Sequence, residues 1–106
     1  MNNNCGFIKD HLGSKRWYVN RKLHRLDGPA IEKFNGAKYW YRNGLLHRED
    51  GPAVEWNEHK EWYINGQLHR ADGPAVEWHG RKSWYIYGIS IYNLKIIFQM
   101  MLKKYS

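Results

Sequence analysis

Cysteine is nearly absent: Cys5 is the one thiol in 106 residues. A lone thiol builds no disulfide framework, so a reducing compartment is the simpler expectation, and with it a cytoplasmic location. Long apolar runs are missing too. The longest clusters, Ile96-Ile97-Phe98 and Met100-Met101-Leu102, are interrupted by Gln99, far short of the ~20 residues a membrane span needs. The start, Met1 to Lys9, has no charged segment leading into an apolar stretch, so no secretory leader is expected. Proline occurs three times and always after Asp-Gly. Acid is absent from residues 78–106, which carry Arg81, Lys82, Lys95, Lys103 and Lys104.

What is present is aromatic: six Trp, eight Tyr and three Phe make up 16 % of the chain. That excludes a disordered or low-complexity chain and points to burial by rings rather than by many aliphatic side chains. The net charge is +7, with both ends basic and residues 26–77 mildly acidic. Such a distribution suits nucleic acid, an acidic protein or a second copy of the chain as partner.

Internal repetition dominates the pattern. Leu23-His24-Arg25-Leu26-Asp27-Gly28-Pro29-Ala30 returns as residues 46–53 and again as residues 68–75, the histidines lying 23 and then 22 residues apart. A second block interleaves with it: Trp17-Tyr18-Val19-Asn20, Trp40-Tyr41-Arg42-Asn43-Gly44, Trp62-Tyr63-Ile64-Asn65-Gly66 and Trp84-Tyr85-Ile86-Tyr87-Gly88. Each unit reads as a β-hairpin. Ala53-Val54-Glu55-Trp56 alternates as a strand, Asn57-Glu58 stands where the neighbours have Asn35-Gly36 and His79-Gly80, and Lys60-Glu61-Trp62-Tyr63-Ile64 returns. Asn-Gly then ends the strand. In Asp-Gly-Pro, Asp caps the turn, Gly supplies an unusual φ and Pro blocks the ladder. Alternation places Trp, Val and Ile on one face and Tyr and charges on the other. The first unit is one residue longer between Ala30 and Trp40, which a bulge near Lys33 would absorb.

The fold expected is mainly β: an array of antiparallel hairpin repeats of ~22 residues, forming a single meandering sheet or an open solenoid. The chain is taken as one domain, 1–106, with an irregular start over 1–12, repeats over 13–88 and a C-terminal amphipathic helix over 89–106. In that helix Ile91, Leu94, Ile97 or Phe98, Met101 and Tyr105 recur at helical spacing with Ser90 as N-cap. Covering the open end of the array is its simplest role, and partner or copy binding the alternative.

These residues resemble a family. Leu-His-Arg-x-Asp-Gly-Pro-Ala-x-Glu-Trp and Trp-Tyr-x-Asn-Gly look like short repeats of uncharacterised phage, giant-virus and bacterial proteins, and the layout is similar to that of MORN repeats without matching their consensus. The resemblance covers about residues 13–88; Arg21 and Glu58 replace Gly, and Tyr87 replaces Asn. It implies a generic binding scaffold and, if viral, an accessory protein in the host cytoplasm inhibiting a host defence component such as a nucleic-acid-targeting effector.

The His24/Asp27, His47/Asp50 and His69/Asp72 ladder carries the residue types of metal and acid–base sites. Adjacent strands lie ~4.8 Å apart, so equivalent residues of successive hairpins stand about 10 Å apart, too far to share a zinc that holds its ligands at ~2 Å. A threefold recurrence also suits structure better than a unique catalytic centre. In the structural reading Arg packs its stem on a Trp and pairs with an acid, and His bonds a loop carbonyl. No enzyme, metal or cofactor is therefore expected. The partner-binding candidates are Tyr18, Arg25, Tyr41, Arg48, Tyr63 and Arg70, residue types that anchor interfaces. The alternative is a nucleic-acid surface at the aromatic-flanked basic ends, Lys15, Arg16, Arg81 and Lys82.

Overall fold

A computed structural model describes residues 5–105. The chain is mainly β, a meander of antiparallel hairpins with one C-terminal helix. The first unit contributes β1 (Cys5–Lys9), β2 (Lys15–Val19) and β3 (Lys22–Leu23). The second contributes β4 (Ile31–Glu32), β5 (Lys38–Tyr39), β6 (Tyr41–Arg42) and β7 (Leu45–Leu46). The third repeats this as β8 (Val54–Trp56), β9 (His59–Glu61), β10 (Tyr63–Ile64) and β11 (Gln67–Leu68). The fourth gives β12 (Val76–Trp78), β13 (Arg81–Ser83), β14 (Tyr85–Ile86) and β15 (Ile89–Ser90), and α1 (Ile91–Tyr105) follows.

One hairpin of each unit joins a nine-stranded sheet in the order β1-β2-β4-β5-β8-β9-β12-β13, with β3 pairing β2. The other halves form separate two-stranded hairpins, β6-β7, β10-β11 and β14-β15. The returning strand expected over Lys60–Ile64 is thus two pieces, and the break falls on the tryptophan. The Trp62 N–H donates to Ala75 O of the next unit, while Trp62 O accepts from His69 N of its own. Its two backbone groups face different partners, and the chain turns a corner there. Trp17 and Trp40 repeat both bonds.

Cross-strand register overturns the expected single stripe of indoles: Val54 and Trp56 stand opposite Glu61 and His59, so they share a face with those residues and not with Lys60 and Trp62. Arg70 stacks on Trp62 and also reaches Glu77 at 3.8 Å, so Trp62 sits on the face of the Glu and Lys side chains. Trp56 and Trp78 lie on the opposite face, with Val54 and Val76, two residues along each strand. Among the described residues the enclosed apolar positions are Ala30, Ala37, Ala53, Val54 and Ala75, and no large side chain is fully buried. The molecule measures 61 × 36 × 19 Å, a slab too thin for a deep core.

Cross-strand order does part of the work of that missing core. Register places Lys15, Glu32, Lys38, Glu55, Lys60, Glu77 and Lys82 opposite one another in turn, an alternating row across the sheet. Opposite charges so placed contribute ~0.2–1 kcal/mol per pair.

The turns follow their residues. Asn43-Gly44, Asn65-Gly66 and Tyr87-Gly88 have φ of 51° and 81°, 48° and 79°, and 45° and 82°, the left-handed pair that suits a two-residue hairpin. Gly28, Gly51 and Gly73 are not among the positive-φ residues, contrary to expectation, and their role is steric. The extra residue between Ala30 and Trp40 is absorbed, as expected, by a bulge at Lys33, with Gly36 and Ala37 both standing opposite it. Lys33 N donates to Ala37 O and Gly36 N to Lys33 O, which leaves a three-residue loop with Gly36 at φ 94°. Arg21 holds φ 65°, a conformation that costs a side-chain-bearing residue ~1–2 kcal/mol. Arg21→Gly is therefore expected to raise stability by ~0.5 kcal/mol, the gain being reduced by the freer unfolded chain, and a denaturant midpoint measures it.

The irregular start expected over 1–12 gives way, from Cys5 on, to β1, because Cys5–Lys9 pairs along the whole of β2; residues 1–4 lie outside the described residues. Gly6 and Cys5 lie opposite Tyr18 and Val19, the side on which each later unit carries its predecessor's His-Arg segment. The β1-β2 turn is held by Asp10, whose Oδ1 accepts from Leu12 N and Ser14 N at 3.0 Å. Burial works to raise the Asp10 carboxyl, but the N–H groups of Ser14, Leu12 and Gly13 and the Arg16 charge outweigh it and hold the pKa below the usual carboxylate value. A lowered folded pKa stabilises this turn above the unfolded value, and the contribution is lost as pH falls through the folded one. Protection of the Leu12 and Ser14 amides from hydrogen exchange is expected to fall on acidification, and Asp10→Asn to abolish that dependence.

Ser90 Oγ accepts from Asn93 N at 3.1 Å, so α1 starts with its expected N-cap. The helix does not cover the end of the array. Nearly all its residues are exposed, and so are Arg81, Lys82 and Ser83 on the last strand of the large sheet. No helix among the described residues is long and apolar enough to cross a membrane.

Candidate functional site

The Leu-His-Arg-x-Asp-Gly-Pro-Ala segment forms a ridge at each joint between units. Arg25, Arg48 and Arg70 each lie flat on the tryptophan eight residues earlier, with guanidinium carbons 3.8, 3.9 and 3.9 Å from the Trp17, Trp40 and Trp62 rings. Each guanidinium donates Nε to the Asp two residues on and Nη1 to the Pro carbonyl. Each also reaches the Glu of the following strand at 3.4–3.8 Å. On its other side stands the ridge glycine. A Cβ on Gly28, Gly51 or Gly73 would come 3.0, 2.9 or 2.8 Å from the guanidinium carbon. A side chain at these positions would have to displace the guanidinium from its place over the indole. The ridge Asp is the arginine's acceptor rather than the turn cap expected of it.

The histidines join units. His24 Nδ1 accepts from Asn43 N at 2.9 Å, His47 Nδ1 from Asn65 N at 2.9 Å and His69 Nδ1 from Tyr87 N at 3.0 Å. These donors are the left-handed turn residues of the next unit, not the loop carbonyls expected. A ring nitrogen that accepts carries no proton, so the proton sits on Nε2. In the second ridge that nitrogen meets Glu49 Oε1 at 3.2 Å. Tyr87 keeps the bond where Asn is expected and stacks on the His69 ring, centroids 3.9 Å apart.

The ladder is thus absorbed by the joints, and the candidate anchors sit accordingly. The Arg25, Arg48 and Arg70 side chains are 22–24 % exposed, and their Nε and Nη1 donors are engaged within the chain. Tyr18, Tyr41 and Tyr63 are half-buried. Burial raises the Tyr41 phenol's pKa, and burial plus donation to Glu61 Oε1 at 2.7 Å raises that of Tyr63 further. The basic candidates stand at opposite ends: Lys15 and Arg16 on β2, Arg81 and Lys82 on β13. Six steps of strand order separate them, roughly 29 Å.

One exposed feature was not singled out from sequence. Trp56, His59, Trp78 and Arg81 lie opposite one another across four strands, with Trp56 and Trp78 46 % and 50 % exposed. The His59 and Trp78 rings meet edge-on, 5.9 Å apart. The signal was the Glu-Trp closing each Ala-x-Glu-Trp strand, which the expectation of buried indoles masked. A further exposed feature is the apolar surface of α1, for which the sequence offered partner or copy binding as the alternative to the capping role. The chain finds no match among models of known families, curated proteins or solved structures.

Proposed function

We propose that the chain is a non-catalytic repeat module that docks on a protein partner. The observation that carries this is α1: Ile96, Ile97, Phe98, Met100, Met101 and Leu102 are 39–65 % exposed on a single helix. Scattered apolar residues on a surface are ordinary, but a contiguous set marks an interaction site. The repeat array is the scaffold that presents it. Its arginines and half-buried tyrosines serve the joints, so the anchors pass from the ridges to the helix and to the Trp56–Trp78 row. The resemblance to repeats of viral proteins makes an inhibitor of a host nucleic-acid-targeting effector the version to test first.

The test is capture of partners from a native lysate at physiological salt, with the intact chain and with an Ile97→Asp/Met101→Asp variant whose unfolding midpoint is checked to be unchanged. A protein held by the first and lost from the second supports the proposal. The same set from both, or nothing above background from either, contradicts it.

A further inference from the structure

Each joint of the large sheet is made in one way. The Lys of a unit's outgoing strand faces the Glu of the next unit's incoming strand: Lys15 with Glu32, Lys38 with Glu55, Lys60 with Glu77. The residue after that Lys faces an aliphatic side chain in all three joints: Arg16 with Ile31, Tyr39 with Val54 and Glu61 with Val76. The following tryptophan N–H donates to the alanine just before that aliphatic residue, at 2.8 Å in all three joints. The incoming segments are Ala30-Ile31-Glu32, Ala53-Val54-Glu55 and Ala75-Val76-Glu77.

A fourth outgoing strand ends the series. Lys82, Ser83 and Trp84 occupy the same three places on and after β13. Among the described residues no strand follows β13 in the sheet. Where an Arg would lie over Trp84, eight residues on, the chain has Tyr92, 69 % exposed and already in α1. Trp84 itself is 44 % exposed, and Lys82 and Ser83 are exposed.

We propose that β13 is a strand-accepting edge for an extended peptide of a partner protein, centred on Ala-aliphatic-Glu. The peptide adds antiparallel as β12 adds to β9, setting its Glu opposite Lys82 and an alanine carbonyl before the Trp84 N–H. Main-chain pairing supplies the attachment and the Lys82 position selects an acid. Charge argues against a second copy as the occupant. The other edge of the sheet, β1, carries Lys9 in this same row, opposite Lys15, and would set lysine against lysine; a β13–β13 pair would gather Arg81 and Lys82 of both copies. This inference shares with the docking proposal only that the partner is a polypeptide.

The probe is a synthetic peptide of the chain's own Arg70–Trp78 sequence, titrated into isotope-labelled intact protein and followed by amide shifts. The expected shifts fall on Arg81–Trp84 and persist in the Ile97→Asp/Met101→Asp variant, which separates this edge from the helix. Lys82→Glu is expected to weaken binding about three- to fivefold, and a peptide with Lys in place of its Glu to restore it. No shift at millimolar peptide, shifts confined to β1, an affinity indifferent to the Lys82 charge, or association of the protein with itself through β13 would each overturn the assignment.

Discussion

Replacing Arg48 with alanine is expected to lower stability by about 2–3 kcal/mol, a large effect for a side chain partly open to solvent. The guanidinium lies 3.9 Å above Trp40, donates to Asp50 and to Pro52 O, and reaches Glu55 at 3.4 Å. The ion pairs contribute little, because Asp50 is almost fully exposed. Stacking on the indole and the bond to the Pro52 carbonyl supply most of the effect. Truncation uncovers the indole and leaves that carbonyl without its donor. Arg42 is the control: it is 40 % exposed, pairs with Glu49 at 3.5 Å and stacks on no ring. Arg42→Ala is expected to change stability by less than about 0.5 kcal/mol. Urea unfolding with an unchanged slope reads both.

His47→Ala is expected to cost about 2 kcal/mol. The ring is 7 % exposed, and its Nδ1 is the acceptor for Asn65 N at the left-handed residue of the next turn. Alanine removes that acceptor together with the packing of a nearly buried ring at the joint, and the exposed Asn65 is left to bond water instead. Because units touch only their neighbours, loosening one joint weakens both units it links. Hydrogen exchange at Asn65 and Gly66 is expected to accelerate before exchange at the β1-β2 hairpin. Uniform acceleration would mean that the joint does not act locally.

The period, the hairpins, the N-cap of α1 and the Arg-on-Trp pairing were legible in the sequence because each depends on residues near one another in the chain. Leu-His-Arg-x-Asp-Gly-Pro-Ala announces a repeated joint, and Asn-Gly its turns. The corner at Trp62 was not legible. It arises because Trp62 N and Trp62 O bond to segments on opposite sides, and alternation along Lys60–Ile64 carries no mark of that. Nor was the register legible, which sets Trp56 and Trp78 opposite His59 and so on the face away from Lys60 and Trp62. Gly51 was read as a residue needing an unusual φ, since glycine in a turn suggests one. Its actual constraint is a guanidinium three residues back, a tertiary fact. The exposure of α1 was hidden for a similar reason: periodicity predicts an apolar face and says nothing of whether a surface waits to cover it.

The account rests on each joint being closed by an arginine clamped between an indole and a glycine. A double-mutant cycle on Arg48 and Gly51 tests this directly. With Arg48 in place, Gly51→Ala is expected to cost about 1–2 kcal/mol, because the new methyl displaces the guanidinium from its ring. With Arg48→Ala already made, the same substitution is expected to cost nothing or to stabilise slightly by reducing the freedom of the unfolded chain. An equal cost in both backgrounds would contradict the clamp and leave the glycine's recurrence in three ridges to a backbone cause.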